Sequence, residues 1–112
     1  MKLPAEGKLL RIFIGEADKW QGQPLYEAIV LLARKEGMAG ATVLKGFMGF
    51  GCKSHMHTAK ILRLSEDLPI IIEMVDSEEK INRFLPHLDE MVKEGLITLE
   101  RANVILYKAD AG

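Results

Sequence analysis

Three groups of residues in this 112-residue chain have types and spacing that could do chemistry. Gly46, Gly49 and Gly51 lie close together. Glycine lets backbone N–H groups approach a ligand closely, as in anion-binding nests, although the same residues could simply make a flexible turn. Cys52, His55 and His57 follow as a C-x2-H-x-H cluster. Thiolate and neutral imidazole suit zinc or copper, and in extended backbone His55 and His57 would point the same way. A structural zinc site takes four ligands and this cluster offers three, so no metal is expected. The histidines could instead meet a phosphate or a protein partner. The third group is cationic. Lys45, Arg101, Lys108 and, with a weaker claim, Arg11 could neutralise a phosphate, or could be solvated charges that blunt a sheet edge. Catalysis finds little support. No nucleophile with a base and an orienting third group stands out, and neither a Walker pattern nor H-x-E…C-x-x-C occurs. Glu73 fits a carboxylate that takes a sugar hydroxyl or pairs with Lys or Arg better than a general base. The chain is not expected to be an enzyme.

These residues need a scaffold. Residues 8–15 read as a strand with Leu10, Ile12 and Ile14 on one face and Leu9, Arg11 and Phe13 on the other. Residues 16–23 read as a polar loop. Pro24 suits the first turn of a helix on which Leu25, Ala28, Ile29 and Leu32 recur at helical spacing. Arg34 and Lys35 close that helix, and Gly37 stops it. Residues 41–47 make a second strand. Residues 61–65 fit a short strand or a loop arm. Residues 70–75, almost wholly apolar, make a central strand. Asp76 and Glu79 have capping-box spacing at the start of a second helix. Its apolar face runs through Ile81, Phe84, Leu85, Leu88, Met91 and Val92. Pro86 should kink or split it, and Gly95 should end it. Residues 96–107 give a last strand, with a bulge near residues 101–103 where the alternation falters.

The order β-α-β-β-α-β predicts an α+β, ferredoxin-like sandwich: a four-stranded antiparallel sheet with two helices on one face. The other face keeps apolar residues from the first, third and last strands, which points to a homo-oligomer. Size is consistent with one domain over residues 1–112, and a hydrophobic fraction of 48% excludes a disordered chain. A formal net charge of −1 gives no general attraction for nucleic acid. With Cys52 as the one cysteine, no internal disulfide is available and a reducing compartment fits. Glu6, Lys8 and Arg11 interrupt any signal-peptide core, and no apolar run reaches the ~20 residues needed to span a bilayer. A cytoplasmic protein with no membrane insertion is expected.

The segments KGFMGFG, LRLSEDLPI and DEMVKEGLITLE, in this order and spacing, resemble a widespread uncharacterised PII-like family. More broadly, Lys45-Gly46-Phe47, a long polar insert, Leu68-Pro69 and Ile72-Glu73-Met74-Val75 are similar to the PII signalling proteins, over about residues 7–107. The resemblance implies a homotrimer that binds an adenine nucleotide (ATP, ADP or AMP) in clefts between subunits. It implies a T-loop-like insert at about residues 47–67 that regulates a partner protein such as a transporter or an enzyme. Carried over by position, Thr42, Gly46, Phe47, Met48 and Gly49 would lie at the base of the insert. Glu73 and Val75 would lie beside adenine and ribose, with Lys45 and Arg101 as candidate phosphate contacts. Three family features are absent: the T-loop tyrosine, the Gly-rich phosphate segment after the second helix, and Arg-x-Arg near the C-terminus. The phosphate contacts must therefore be built differently. The alternatives are a metal-binding trimer of the copper-tolerance type, using Cys52, His55 and His57, and a small enzyme acting on a nucleotide.

Overall fold

Alternating aliphatic residues build a central strand with one fully buried face. Leu10, Ile12 and Ile14 point into a core shared with Ile70, Ile72 and Met74 of the neighbouring strand. A computed structural model describes residues 5–50, the backbone of residues 57–58, and residues 67–109. Four strands form one antiparallel sheet: β1 (Glu6–Gly15), β2 (Thr42–Lys45), β3 (Pro69–Asp76) and β4 (Leu96–Asn103), in the order β2-β3-β1-β4. Helices α1 (Leu25–Lys35) and α2 (Glu78–Met91) cover one face of this sheet. The fold is the expected α+β sandwich.

The helices are set by their termini. Pro24 stands before α1 and offers no side-chain cap. The Leu25 N–H donates instead to the Asp18 carbonyl at 2.8 Å. At the other end Gly37 has φ +77°, its N–H donates to the Arg34 carbonyl, and Met38 N–H donates to the Ala33 carbonyl. This is a Schellman turn, which only a residue tolerant of positive φ closes without strain. Leu25, Ala28, Ile29 and Ala33 are buried, whereas Leu32 lies on the flank of the buried stripe.

Several expectations are corrected. The cap of α2 is Ser77, whose Oγ accepts the Lys80 N–H at 3.2 Å; Asp76 is buried on β3 and does other work. Pro86 does not split α2, which is continuous from Glu78 to Met91. Pro86 and Asn82 lie on its exposed side, where a carbonyl freed of its helical partner can meet water. The helix stops at Met91, before Gly95. No bulge interrupts β4: Glu6, Gly7 and Lys8 pair in unbroken register with Asn103, Ala102 and Arg101. The strand is shorter than residues 96–107, however, because the chain leaves the sheet after Asn103. The Val104 N–H makes a last bond to the Ala5 carbonyl at 2.7 Å. The polar stretch before α1 is a small hairpin pairing Lys19 with Pro24 and Trp20 with Gln23, turned by Gln21 and Gly22 at positive φ. Residues 61–65 lie outside the described residues.

The face of the sheet away from the helices has no cover among the described residues. Leu9 and Phe13 of β1, Leu44 of β2, Ile71 and Val75 of β3 and Leu96 of β4 share it. Arg11, Glu73 and Glu100 form an ion-paired group among them.

Candidate functional site

A cleft of about 550 Å³ opens at the end of the sheet where β2 begins and β3 and β4 end. This volume falls in the range of small-ligand sites, roughly 300–1,000 Å³. Its floor comes from Leu9, Thr42 and residues 73–75, one wall from residues 39–40, and the other from residues 102–107. Apolar side chains and main-chain groups make up most of this lining. Thr42, Glu73, Asn103 and Tyr107 supply the polar side chains, and among the described residues Glu73 carries the only charge on the lining.

The position of the first wall has a cause. Asp76 is 1% exposed, and its two oxygens divide between two backbone donors. Oδ2 accepts the Ala39 N–H at 2.8 Å and Oδ1 accepts the Ser77 N–H at 2.7 Å. A buried carboxylate is tolerable only when bonded this way. The Ala39 carbonyl in turn accepts the Tyr107 hydroxyl at 3.2 Å. One residue, Ala39, thus links the end of β3 to the segment after β4, and both walls of the cleft meet there. Sequence reasoning assigned Asp76 to a helix cap and missed this role. The available signal was Ser77, a second capping residue one position later that left Asp76 free.

The residues singled out from the sequence divide into two groups. Thr42, Glu73 and Val75 come together in the cleft. Lys45, Gly46, Phe47, Met48 and Gly49 lie at the other end of β2, roughly 10 Å away at ~3.3 Å per residue between Thr42 and Lys45. There Lys45 Nζ pairs with Glu16 at 2.6 Å, and the Gly46 N–H donates to the Pro69 carbonyl at 2.8 Å. Gly46 and Gly49 both lie against the Pro69 ring: a Cβ on either would sit 2.8 and 3.1 Å from its Cγ. Close packing alone therefore favours glycine at these two positions. Phe47, Met48 and Phe50 are exposed. Arg101 pairs opposite Lys8, on the face of β4 turned away from Glu100, and is not part of the cleft lining. Lys108 is exposed beyond the second wall. Cys52 and His55 lie outside the described residues, and His57 enters through the pairing of its backbone with Gly49. Among the described residues no group of three or more His, Cys, Asp or Glu is placed to hold a metal ion. Nor, among them, is any helix long and apolar enough to cross a membrane.

The feet of the insert are braced by the β1–α1 turn. The Glu16 N–H donates to the Leu68 carbonyl at 2.8 Å, and the Ala17 N–H donates to Asp67 Oδ1 at 2.6 Å. With the Lys45–Glu16 pair, this turn holds both ends of the insert.

The fold is that of solved PII-like proteins. CPII of Thiomonas intermedia K12, bound to ADP and bicarbonate, aligns with a TM-score of 0.65 and 23% identity, covering 92% of this chain and 91% of that one. CPII bound to ADP, AMP and bicarbonate aligns with a TM-score of 0.65 and 21% identity over 93% of this chain and 99% of that one. In sequence, the UPF0166 protein MJ1524 of Methanocaldococcus jannaschii is 43% identical over 106 residues, 94% of this chain and 95% of that protein. A UPF0166 protein of Aquifex aeolicus is 40% identical over 98 residues, 88% and 92% of the two chains. A family model described as "Uncharacterized ACR, COG1993" matches residues 7–104, and the chain belongs to that family, DUF190.

Proposed function

We propose that this chain is a cytoplasmic PII-like regulatory protein that binds an adenine nucleotide in clefts between the subunits of a homotrimer. It acts by binding, not catalysis, and the insert at residues 47–67 docks on a regulated protein such as a transporter or an enzyme. One observation carries the reading. The cleft floor, Leu9, Thr42, Glu73 and Val75, is also the end of the uncovered apolar sheet face. A subunit packed on that face would close the cleft. The charge of the lining supports the same view. Glu73 is anionic and the described lining has no cation, so one chain's cleft suits a base and a sugar, and phosphates need Lys or Arg from a neighbouring chain. Lys45, at the far end of β2, is a candidate for that contribution, with Gly46 and Gly49 beside it. The solved structures with this fold support the ligand class, since CPII is bound to ADP and AMP.

The test combines native mass spectrometry with thermal melts in millimolar ATP, ADP, AMP and cyclic AMP. A ligand at 100 times its Kd stabilises by about 2.7 kcal/mol, roughly 10–14 °C in a domain of this size. The expected result is a trimeric mass and a raised Tm with at least one nucleotide, recovered intact after long incubation. Unchanged melting with all four would defeat the adenine-nucleotide reading, and turnover would favour a nucleotide-acting enzyme.

A further inference from the structure

Arg11 lies outside the cleft wall yet pairs with Glu73, the one charged group on its lining among the described residues. Its backbone stands opposite Glu73 of β3 on one side and Thr98 of β4 on the other. Its Nε–H donates to Oε2 of Glu73 at 2.8 Å, and Nη1 donates to Oε2 of Glu100 at 2.6 Å. The guanidinium is therefore held from both neighbouring strands, and it holds one oxygen of the cleft carboxylate. The terminal torsion of a glutamate is broad when nothing restrains it, so this bond decides where the second oxygen points. Among the described residues Oε1 of Glu73 has no protein partner, and with the side chain 32% exposed it is accessible from the cleft. A guanidinium is a cation at every working pH, and the bond to Glu73 raises the Arg11 pKa further above its ordinary value.

An ionised carboxylate only accepts hydrogen bonds. On an adenine nucleotide the donors are the exocyclic amine and the ribose hydroxyls, and the phosphates are repelled. The amine suits a single main-chain carbonyl, and both walls of the cleft are rich in main chain. A ribose diol is well matched to a carboxylate, the pairing that dinucleotide sites use. We propose that Arg11 is a positioning residue that fixes the Glu73 carboxylate to accept the ribose hydroxyls, so that the site selects ribonucleotides over deoxyribonucleotides. This deepens the nucleotide reading and rests on it.

The experiment measures Kd by calorimetry for ATP, 2′-deoxy-ATP and 3′-deoxy-ATP with the full chain and with Arg11→Met, Arg11→Lys and Glu73→Gln. The wild type is expected to prefer ATP over a deoxy form by roughly tenfold or more, the worth of a hydrogen bond to a charged group. Arg11→Met is expected to weaken ATP to the level of the deoxy forms and bring the ratio near one. Arg11→Lys keeps the charge without the Nε donor and should restore part of the ratio. A merely structural role would lower Tm and leave the ratio untouched, which overturns the assignment. So does a Glu73→Gln protein that discriminates as well as wild type, a measurement that stands even if Arg11→Met does not fold. A wild type that binds ATP without discriminating overturns this inference alone. A wild type that binds no adenine nucleotide overturns the reading beneath it as well.

Discussion

Replacing Asp76 by Asn changes one oxygen for an amide nitrogen and leaves the side-chain shape almost intact. In the native site both carboxylate oxygens are engaged, with Ala39 N–H at 2.8 Å and Ser77 N–H at 2.7 Å, and the residue is 1% exposed. The substituted amide would keep an acceptor for one donor and turn an NH2 toward the other. The second N–H then loses a charge-assisted bond and faces a like donor where water has little access. A hydrogen bond to a charged group is worth about 1.5–3 kcal/mol, and a buried unsatisfied donor costs about 1–3 kcal/mol. Relief from burying a charge offsets part of this. The net expectation for Asp76→Asn is about 2–3 kcal/mol of lost stability, or roughly 8–15 °C in Tm for a domain of this length. Asp76→Ala removes both acceptors and should cost more. The assay is urea unfolding at fixed protein concentration, read as a lower midpoint at unchanged slope. Hydrogen exchange at Ala39 and Ser77 should accelerate ahead of the sheet amides. If Asp76→Asn unfolds within about 1 kcal/mol of wild type, less than one buried hydrogen bond to a charged group, the carboxylate does not hold the cleft wall as argued.

Three further outcomes are expected. Gly95→Ala places a Cβ 2.6 Å from the Phe13 carbonyl oxygen, with Val92 and Ile14 methyls close behind. It should lower stability by about 1–3 kcal/mol in the same urea assay. Pro86→Ala restores a helical N–H on the exposed side of α2 and should raise Tm by several degrees; an unchanged or lower Tm would mean the proline geometry is needed for packing. Ile71→Asp puts a charge on the uncovered sheet face between Phe13 and Leu44. It should shift the native mass toward the monomer with the helical circular dichroism retained, and an unshifted mass would clear that face of a role in assembly.

The scaffold was legible because its signals are local and periodic. Leu10, Ile12 and Ile14, and Ile81, Phe84 and Leu88, mark buried faces by spacing alone. Gly37 announced a helix end through the left-handed conformation that closes it. The departures came where a residue's job depends on something distant in sequence. Asp76 looked like a cap until the α1–β2 loop was brought against it. Gly46 and Gly49 carry a second reason to be glycine that no local pattern showed: the Pro69 ring, far along the chain, occupies the space a side chain would need. The pairing of Arg11 with Glu73 depends on the β1–β3 register, which no single segment encodes. Residues 104–107 looked like strand because the composition is β-prone. Strand pairing ends at Asn103, and Tyr107 closes on Ala39 instead.

The braced feet of the insert also bear on how this scaffold can be changed. Glu16 and Ala17 grip the incoming and outgoing chain through Lys45, Asp67 and Leu68, so the body of the domain holds both ends. When the ends are fixed, closing a longer loop costs only about 0.6 kcal/mol per doubling of its length. The domain is thus a socket. A segment of different length grafted beyond the Met48–Thr58 and Gly49–His57 pairs is expected to leave the stability of the domain in urea unfolding within about 1 kcal/mol per doubling of loop length.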